Sequence, residues 1–415
     1  MDALSAAAAL ITLAALFSWI NHKYIHQPQS IALLLSSLAL SLALVALGKF
    51  GFDSQHLGRQ AIEAIDLDRV LLDSMLSFLL FAGALQVDLG ELARRKAAIG
   101  FLASLGVLVS AVLAGSALWV IFGMLGHPVP FIWCLLFGAL ISPTDPISVL
   151  AILKKANTEK SLAGKMAGEA LLNDGVGVML FVLFLGIAVR GETVTLAHVG
   201  ALFVREVLGG ALLGLVLGYL CYRMLASVDD YKLEILLTLA LVMGGYALAL
   251  ALHVSGPISM VVAGVLVGNH GRRFAMTPTS RERLDIFWEL LDEILNAVLF
   301  VMIGLELLRL QFNVTYVWAA AFAIPAVLAA RFLSVGLAAF VPGLRKDFPP
   351  YVVGILTWGG LRGGISVALA LSLPSGPHRP AIITVTYVVV LFSILVQGLT
   401  LSRLLRRRQT RVHHG

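Results

Sequence analysis

Leu136-Phe137-Gly138-Ala139-Leu140-Ile141-Ser142-Pro143-Thr144-Asp145-Pro146-Ile147-Ser148-Val149-Leu150 is an apolar run interrupted by two prolines that bracket a threonine and an aspartate. Each proline removes a backbone donor, and its ring clashes with the preceding turn. A helix through this stretch is therefore broken around Thr144-Asp145. The run it interrupts, 131–153, is long enough to cross a bilayer. Non-helical backbone at membrane depth is tolerated only where protein buries it or where it lines a cavity. This one stretch points to a membrane-spanning helical protein with a polar break in its interior.

The rest of the chain agrees. Its 415 residues are 59% hydrophobic and 13% charged, with a mean hydropathy of +0.93. Soluble domains are about a quarter charged. Apolar runs of spanning length fall at 3–20, 30–49, 70–88, 97–124, 131–153, 166–189, 200–222, 233–252, 255–269, 284–308, 314–341, 351–373 and 381–402, thirteen in all. The first has Asp2 before it and no basic leader, so it reads as a retained span. Cys134 and Cys221 lie in apolar segments and read as small buried residues, not as a disulfide framework.

Charge bias tests the count. With the N-terminus outside and the C-terminus inside, the inside segments hold 21 Lys and Arg and the outside segments hold 6. That is the bias of a plasma-membrane protein with its basic tail in the cytoplasm. The net charge of +6 is spread over these loops and the tail, so nucleic acid is not an expected partner. Arg205, Arg331 and Arg362 are the basic residues inside spans.

Span twelve carries a second break. Gly359-Gly360-Leu361-Arg362-Gly363-Gly364 sets four glycines around one arginine and weakens the helix. Pro146-Ile147-Ser148-Val149 beside the first break is echoed by Gly364-Ile365-Ser366-Val367 beside the second. Two broken helices in corresponding halves point to a transporter binding site. The expected fold is an all-α polytopic membrane protein of about thirteen transmembrane helices, in two inverted six-helix repeats whose spans five and twelve cross. Residues 1–415 form a single membrane domain: 1–189 the first repeat, 200–222 a linker helix, 233–402 the second repeat and 403–415 a basic cytoplasmic tail.

At such a crossing, half-helix N-termini are partly positive and C-termini partly negative. Asp145 is placed to compensate the former and Arg362 the latter. A proline kink with a snorkelling aspartate is the plainer alternative. Span six contains Gly168-Glu169-Ala170-Leu171-Leu172-Asn173-Asp174. Glu169 and Asn173 share one helical face, and Asp174 is turned about 100° from Asn173. Glu169, if buried and charged, needs a cation, and Arg331 and Arg362 are the candidates besides Arg205. Asp174 is the candidate working group. A carboxylate at membrane depth is expensive and by default marks an ion or proton site. Poised between charged and neutral, it holds either a proton or a cation, and that competition couples two fluxes. Thr144 supplies hard oxygen ligands of the kind Na+ takes, which makes Asp174 and Thr144 the candidate Na+ ligands. A satisfied helix–helix hydrogen bond is the alternative for Asp174.

Taken together, Thr144-Asp145-Pro146, Asn173-Asp174 and Gly359-Gly360-Leu361-Arg362-Gly363 resemble the signatures of sodium/proton antiporters of the monovalent cation:proton antiporter-1 family, NhaP-like branch. The likeness runs over nearly the whole chain, including Phe287-Trp288-Glu289-Leu290-Leu291-Asp292-Glu293-Ile294-Leu295-Asn296. It implies a homodimer in which a core domain moves against a dimerisation domain, with Asp174 holding sodium and proton in alternation. The Asn173-Asp174 form implies electroneutral exchange. Two positions depart from the family pattern: Ala82, in Leu80-Phe81-Ala82-Gly83, stands where many relatives have an acid, and Ala170 where some have a hydroxyl.

The expectation is therefore a secondary antiporter of the bacterial inner membrane serving pH homeostasis. It would exchange Na+ or Li+ for H+ by alternating access, with no cofactor and no enzymatic step. Its partners are monovalent cations, protons, the lipid bilayer and a second copy of the chain. Potassium/proton exchange, a pH-gated cation channel and an intramembrane protease are the alternatives. The protease lacks a convincing second catalytic group. Gly210, Gly214 and Gly218 in span seven permit close helix approach, either in a dimer or within the chain. Asp229-Asp230 and Asp292-Glu293 read as solvated, or as a lure for cations. His270 and His413-His414 are candidates for pH sensing.

Overall fold

The computed structural model describes residues 3–49, 75–87, 89–145, 160–190, 200–201, 204–308, 313–401 and 404–405. Among the described residues there are helices and no strands. Each expected span is met by a helix: α1 (Ala3–Ile20), α2 (Gln29–Lys49), α3 (Leu76–Leu85), α4 (Lys96–Met124), α5 (Phe131–Ile141), α6 (Lys160–Arg190), α7 (Val204–Leu225), α8 (Tyr231–Ala251), α9 (Gly256–Leu266), α10 (Pro278–Leu305), α11 (Val314–Ala338), α12 in two pieces (α12a, Pro350–Trp358; α12b, Gly364–Leu371) and α13 (Arg379–Leu401). Seven of them, α2, α4, α6, α7, α8, α11 and α13, are long and apolar enough to cross a membrane unaided. Helices α5 and α12 fall short because the backbone leaves the helix at Ser142 and at Gly359. The second half of span five, its Pro146–Val149 echo, Lys154, Lys155 and the Arg406–Arg411 and His413-His414 stretch lie outside the described residues.

Helix starts follow capping chemistry. The Asp230 carboxylate accepts from the Lys232 amide at 3.0 Å and starts α8. Thr277 accepts from the Ser280 amide at 3.3 Å and Pro278 follows it, so α10 begins six residues before the apolar run. The outward faces stay apolar: Leu212, Leu236, Met243, Trp318 and Phe322 are exposed. That surface suits lipid and is unfavourable in water.

The helices sort into two bundles. Helices α1, α2, α3, α7, α8, α9 and α10 pack mainly on one another, and so do α4, α5, α6, α11, α12 and α13. The pairings also repeat. Helix α2 packs on α10 as α3 packs on α9, and α1 touches α2 and α10 as α8 touches α9 and α3. Adding or subtracting seven converts one set of pairings into the other. That is the pattern two structural repeats related by a pseudo-twofold axis leave in a contact map. The glycines of α7 serve this intrachain packing. A Cβ on Gly210 would meet the Ser255 carbonyl at 2.7 Å, and one on Gly214 would meet the Ser259 carbonyl at 2.4 Å. Both contacts are with the start of α9 and the turn before it.

Candidate functional site

The two breaks meet. The Asp145 amide donates to the Leu361 carbonyl at 2.8 Å, a backbone bond between the non-helical segments of spans five and twelve. The Arg362 guanidinium donates through Nη1 to the Ser142 carbonyl and, at 2.8 Å, to the Pro143 carbonyl. These carbonyls follow the C-terminal end of α5, where no further helical turn supplies a donor. Arg362 thus satisfies the negative end of the first half-helix. Its own amide donates to Ser393 Oγ at 2.9 Å, which ties the crossing to α13.

Asp145 sits at the opposite pole. A Cβ built on Gly363, the residue capping the start of α12b, would lie 2.7 Å from Asp145 Cβ and 2.9 Å from its Oδ2. Only a glycine permits this approach, and it brings a carboxylate to the partly positive end of the second half-helix. Arg362 and Asp145 thus stand at opposite half-helix ends of the crossing.

Helix α6 runs beside the crossing and presents its polar residues in different directions. Asn173 is fully buried and uses both ends of its amide on Thr144. Its Nδ2 donates to Thr144 Oγ1 at 2.8 Å, and its Oδ1 accepts from the Thr144 amide at 3.2 Å. The unwound backbone of span five thereby gains the partner its broken helix removed. Glu169, one turn earlier, pairs with Arg331 of α11 at 2.5 Å, both side chains being 2% exposed. The sequence left Arg331 and Arg362 as alternatives; the geometry chooses Arg331. A Cβ on Gly360 would lie 3.0 Å from Arg331 Nε, so the glycine-rich break also makes room for this guanidinium. Arg205 is exposed, and Glu169 pairs with Arg331 instead.

Asp174 is turned about 100° from Asn173 around the helix. It is 1% exposed, and its Oδ2 has no hydrogen-bond partner among the described residues. It lines a cavity of about 30 Å³ together with Pro143, Thr144, Asp145, Asn296 and Ser366. That is room for one or two waters or a small cation. Leaving one oxygen of a buried carboxylate without a donor is costly and needs an explanation. Chemically, the group is set up to accept a proton or a cation from the cavity.

The cavity has walls from both bundles. Leu79 and Leu80 of α3 and Asn296 and Leu299 of α10 face Pro143, Asp174 and Gly364 of the other bundle. Ala82 and Ala170 are buried but are not among the lining residues. Asn296 and Ser366 are lining residues that the sequence did not single out as ligands, although each stood inside a quoted motif. Asp292, expected to be solvated, is half-buried one turn below Asn296, with an unpartnered Oδ1, whereas Glu293 is exposed.

The model of the family described as sodium/hydrogen exchanger, transmembrane, matches residues 9–407. The Na(+)/H(+) antiporter NhaP of Pseudomonas aeruginosa is 50% identical over 96% of this chain and 96% of its own length. The Na(+)/H(+) antiporter NhaH of Halobacillus dabanensis is 33% identical over 93% of each chain. The solved structure of the sodium proton antiporter MjNhaP1 from Methanocaldococcus jannaschii at pH 8 has a TM-score of 0.76 and covers 98% of this chain and 99% of that one. At 19% identity it shows that the fold is shared.

Proposed function

This chain belongs to the sodium/hydrogen exchanger family, in its NhaP-like branch, and on that premise we propose that it exchanges Na+ for H+ at Asp174. The observation that carries the reading is the buried Asp174 carboxylate with an unpartnered oxygen, lining a cavity at the meeting of two broken helices. One carboxylate that binds either ion, never both, couples the fluxes without further machinery. Thr144 and Asp145 share its cavity and act as cation ligand and electrostatic partner. Asn173 holds Thr144 in place through its two hydrogen bonds.

Alternating access is achieved by moving the bundle of α4–α6 and α11–α13 against the bundle of α1–α3 and α7–α10. Three features support this. The cavity lies between the bundles. The charges inside the first bundle are compensated within it, so it can travel without exposing an unpaired Glu169 or Arg362. The places where bundles touch near the site are small: a Cβ on Gly175 would meet Ile258, and one on Gly364 would meet Leu299. Asn173 is neutral, which favours one-for-one, electroneutral exchange. The protein functions as a homodimer in the bacterial inner membrane, N-terminus outside and C-terminus in the cytoplasm.

Everted membrane vesicles test this. Adding Na+ should collapse a preformed pH gradient, Li+ should do the same, and an imposed membrane voltage should not change the rate. Collapse by K+ alone would replace sodium with potassium as the cargo. Undiminished exchange in Asp174→Asn would remove Asp174 from the mechanism.

A further inference from the structure

Asp174 belongs to one bundle, yet part of its cavity wall belongs to the other. Of the four residues that α3 and α10 contribute, Leu79, Leu80, Asn296 and Leu299, only Asn296 is polar. It is buried, 9% exposed. It precedes Leu299 by three positions, so the two share one face of α10. Leu299 packs on Gly364 at the start of α12b, which fixes that face toward the crossing.

The amide of Asn296 is anchored at one end. Its Nδ2 donates to the Asp292 carbonyl at 2.8 Å, one turn back along α10. Nδ2 keeps a second hydrogen, and the carboxamide oxygen, which accepts no hydrogen bond from the described residues, is the acceptor that this lining residue can offer the cavity. A held amide oxygen is a neutral, hard ligand of the kind alkali cations take. A proton on Asp174 has no need of it.

We propose that Asn296 is a cation ligand available in only one of the two access states. Its oxygen completes the Na+ shell on Asp174 in the arrangement seen here. When α5, α6 and α12 carry the ion to the other face, Asn296 stays with α10 and the shell loses that oxygen. Sodium therefore binds more tightly on one face than on the other, while proton binding is little affected. An ion that prefers one state also shifts the equilibrium between states toward it. This inference rests on the reading of Asp174 as the exchanging carboxylate.

The test uses the full-length protein in everted and right-side-out vesicles, with Na+ titrated on the exposed face in each. Asn296→Ala should raise the half-saturating Na+ concentration by about 3–10-fold on one face, the range expected for one polar contact. The shift on the other face should be below about twofold by the same reasoning. Asn296→Asp keeps an oxygen at the same reach and should restore or tighten Na+ binding on the affected face. Should the alanine variant fail to accumulate in the membrane, Asn296→Ser, shorter by one polar group, replaces it with the same expected asymmetry. Equal shifts on both faces, or no shift on either, would overturn the proposal. Asp174→Asn run in parallel separates the two levels. If it still exchanges, the underlying reading fails; if it is silent while Asn296→Ala is unshifted, only the Asn296 assignment fails.

Discussion

Glu169 and Asp174 are two buried carboxylates on the same helix, 1% exposed each, and they live opposite lives. Glu169 has a guanidinium at 2.5 Å. Asp174 has an oxygen without a partner and a cavity in front of it. Burial is the same, so on the proposed reading burial is not what separates an exchanging carboxylate from an architectural one. The difference lies in whether the packed neighbours supply a fixed positive charge. Where they do, the group is locked and helices are held in register. Where they do not, the compensating charge has to come from outside, as a proton or a cation.

The most damaging test of this contrast is Asp174→Asn. It keeps the shape and removes the charge, so exchange in vesicles should fall to background, at least about 100-fold, which corresponds to about 2.8 kcal/mol. The protein should still accumulate and melt near the wild-type temperature. A variant that melts much lower would make Asp174 architectural as well.

Glu169→Gln should do the reverse. It strands Arg331 as a buried unpaired charge, at a cost of about 3–5 kcal/mol, read as a large drop in melting temperature in detergent. Combining it with Arg331→Met should recover most of that loss, because the uncompensated charge is gone. If Glu169→Gln melts normally yet is inactive, the division of labour is wrong.

Thr144→Val should be milder. It leaves Asn173 Nδ2 without its acceptor, costing about 1–3 kcal/mol of stability. It also removes a cation ligand, so half-saturating Na+ should rise severalfold while Asp174 still binds protons. The smallest effect is expected at the periphery. Arg95 pairs with Asp347 at 2.9 Å with both side chains partly exposed. Arg95→Ala should change stability by at most about 1 kcal/mol and leave exchange as it is. A large effect there would mean that this peripheral contact couples to the site.

Much of this contrast was legible in the chain. Pro143 and Pro146 announce the first break and the glycines of 359–364 the second, because both residue types act on their own backbone. The opposite charges at the breaks, Asp145 and Arg362, follow from the polarity of helix ends. The separation of Asn173 from Asp174 follows from helical geometry. Asn296 was not legible as a lining residue: an asparagine on a long amphipathic helix is usually solvated, and nothing local says that α10 turns it toward span six. The α7 glycines were equally silent about whether their partner was α9 or a second copy of the chain.

Sequence alone pointed to a membrane protein of about thirteen spans with two broken helices and charged residues at the breaks. These are properties of local backbone chemistry, apolar length and loop charge. Only the tertiary structure decided that the breaks bond to one another through Asp145 and Leu361, that Arg331 rather than Arg362 neutralises Glu169, and that Asp174 shares its cavity with Asn296. Each of those is a pairing between helices far apart in sequence. Which of two available arginines reaches a carboxylate depends on where the competing carbonyls of Ser142 and Pro143 lie, and no local pattern encodes that position.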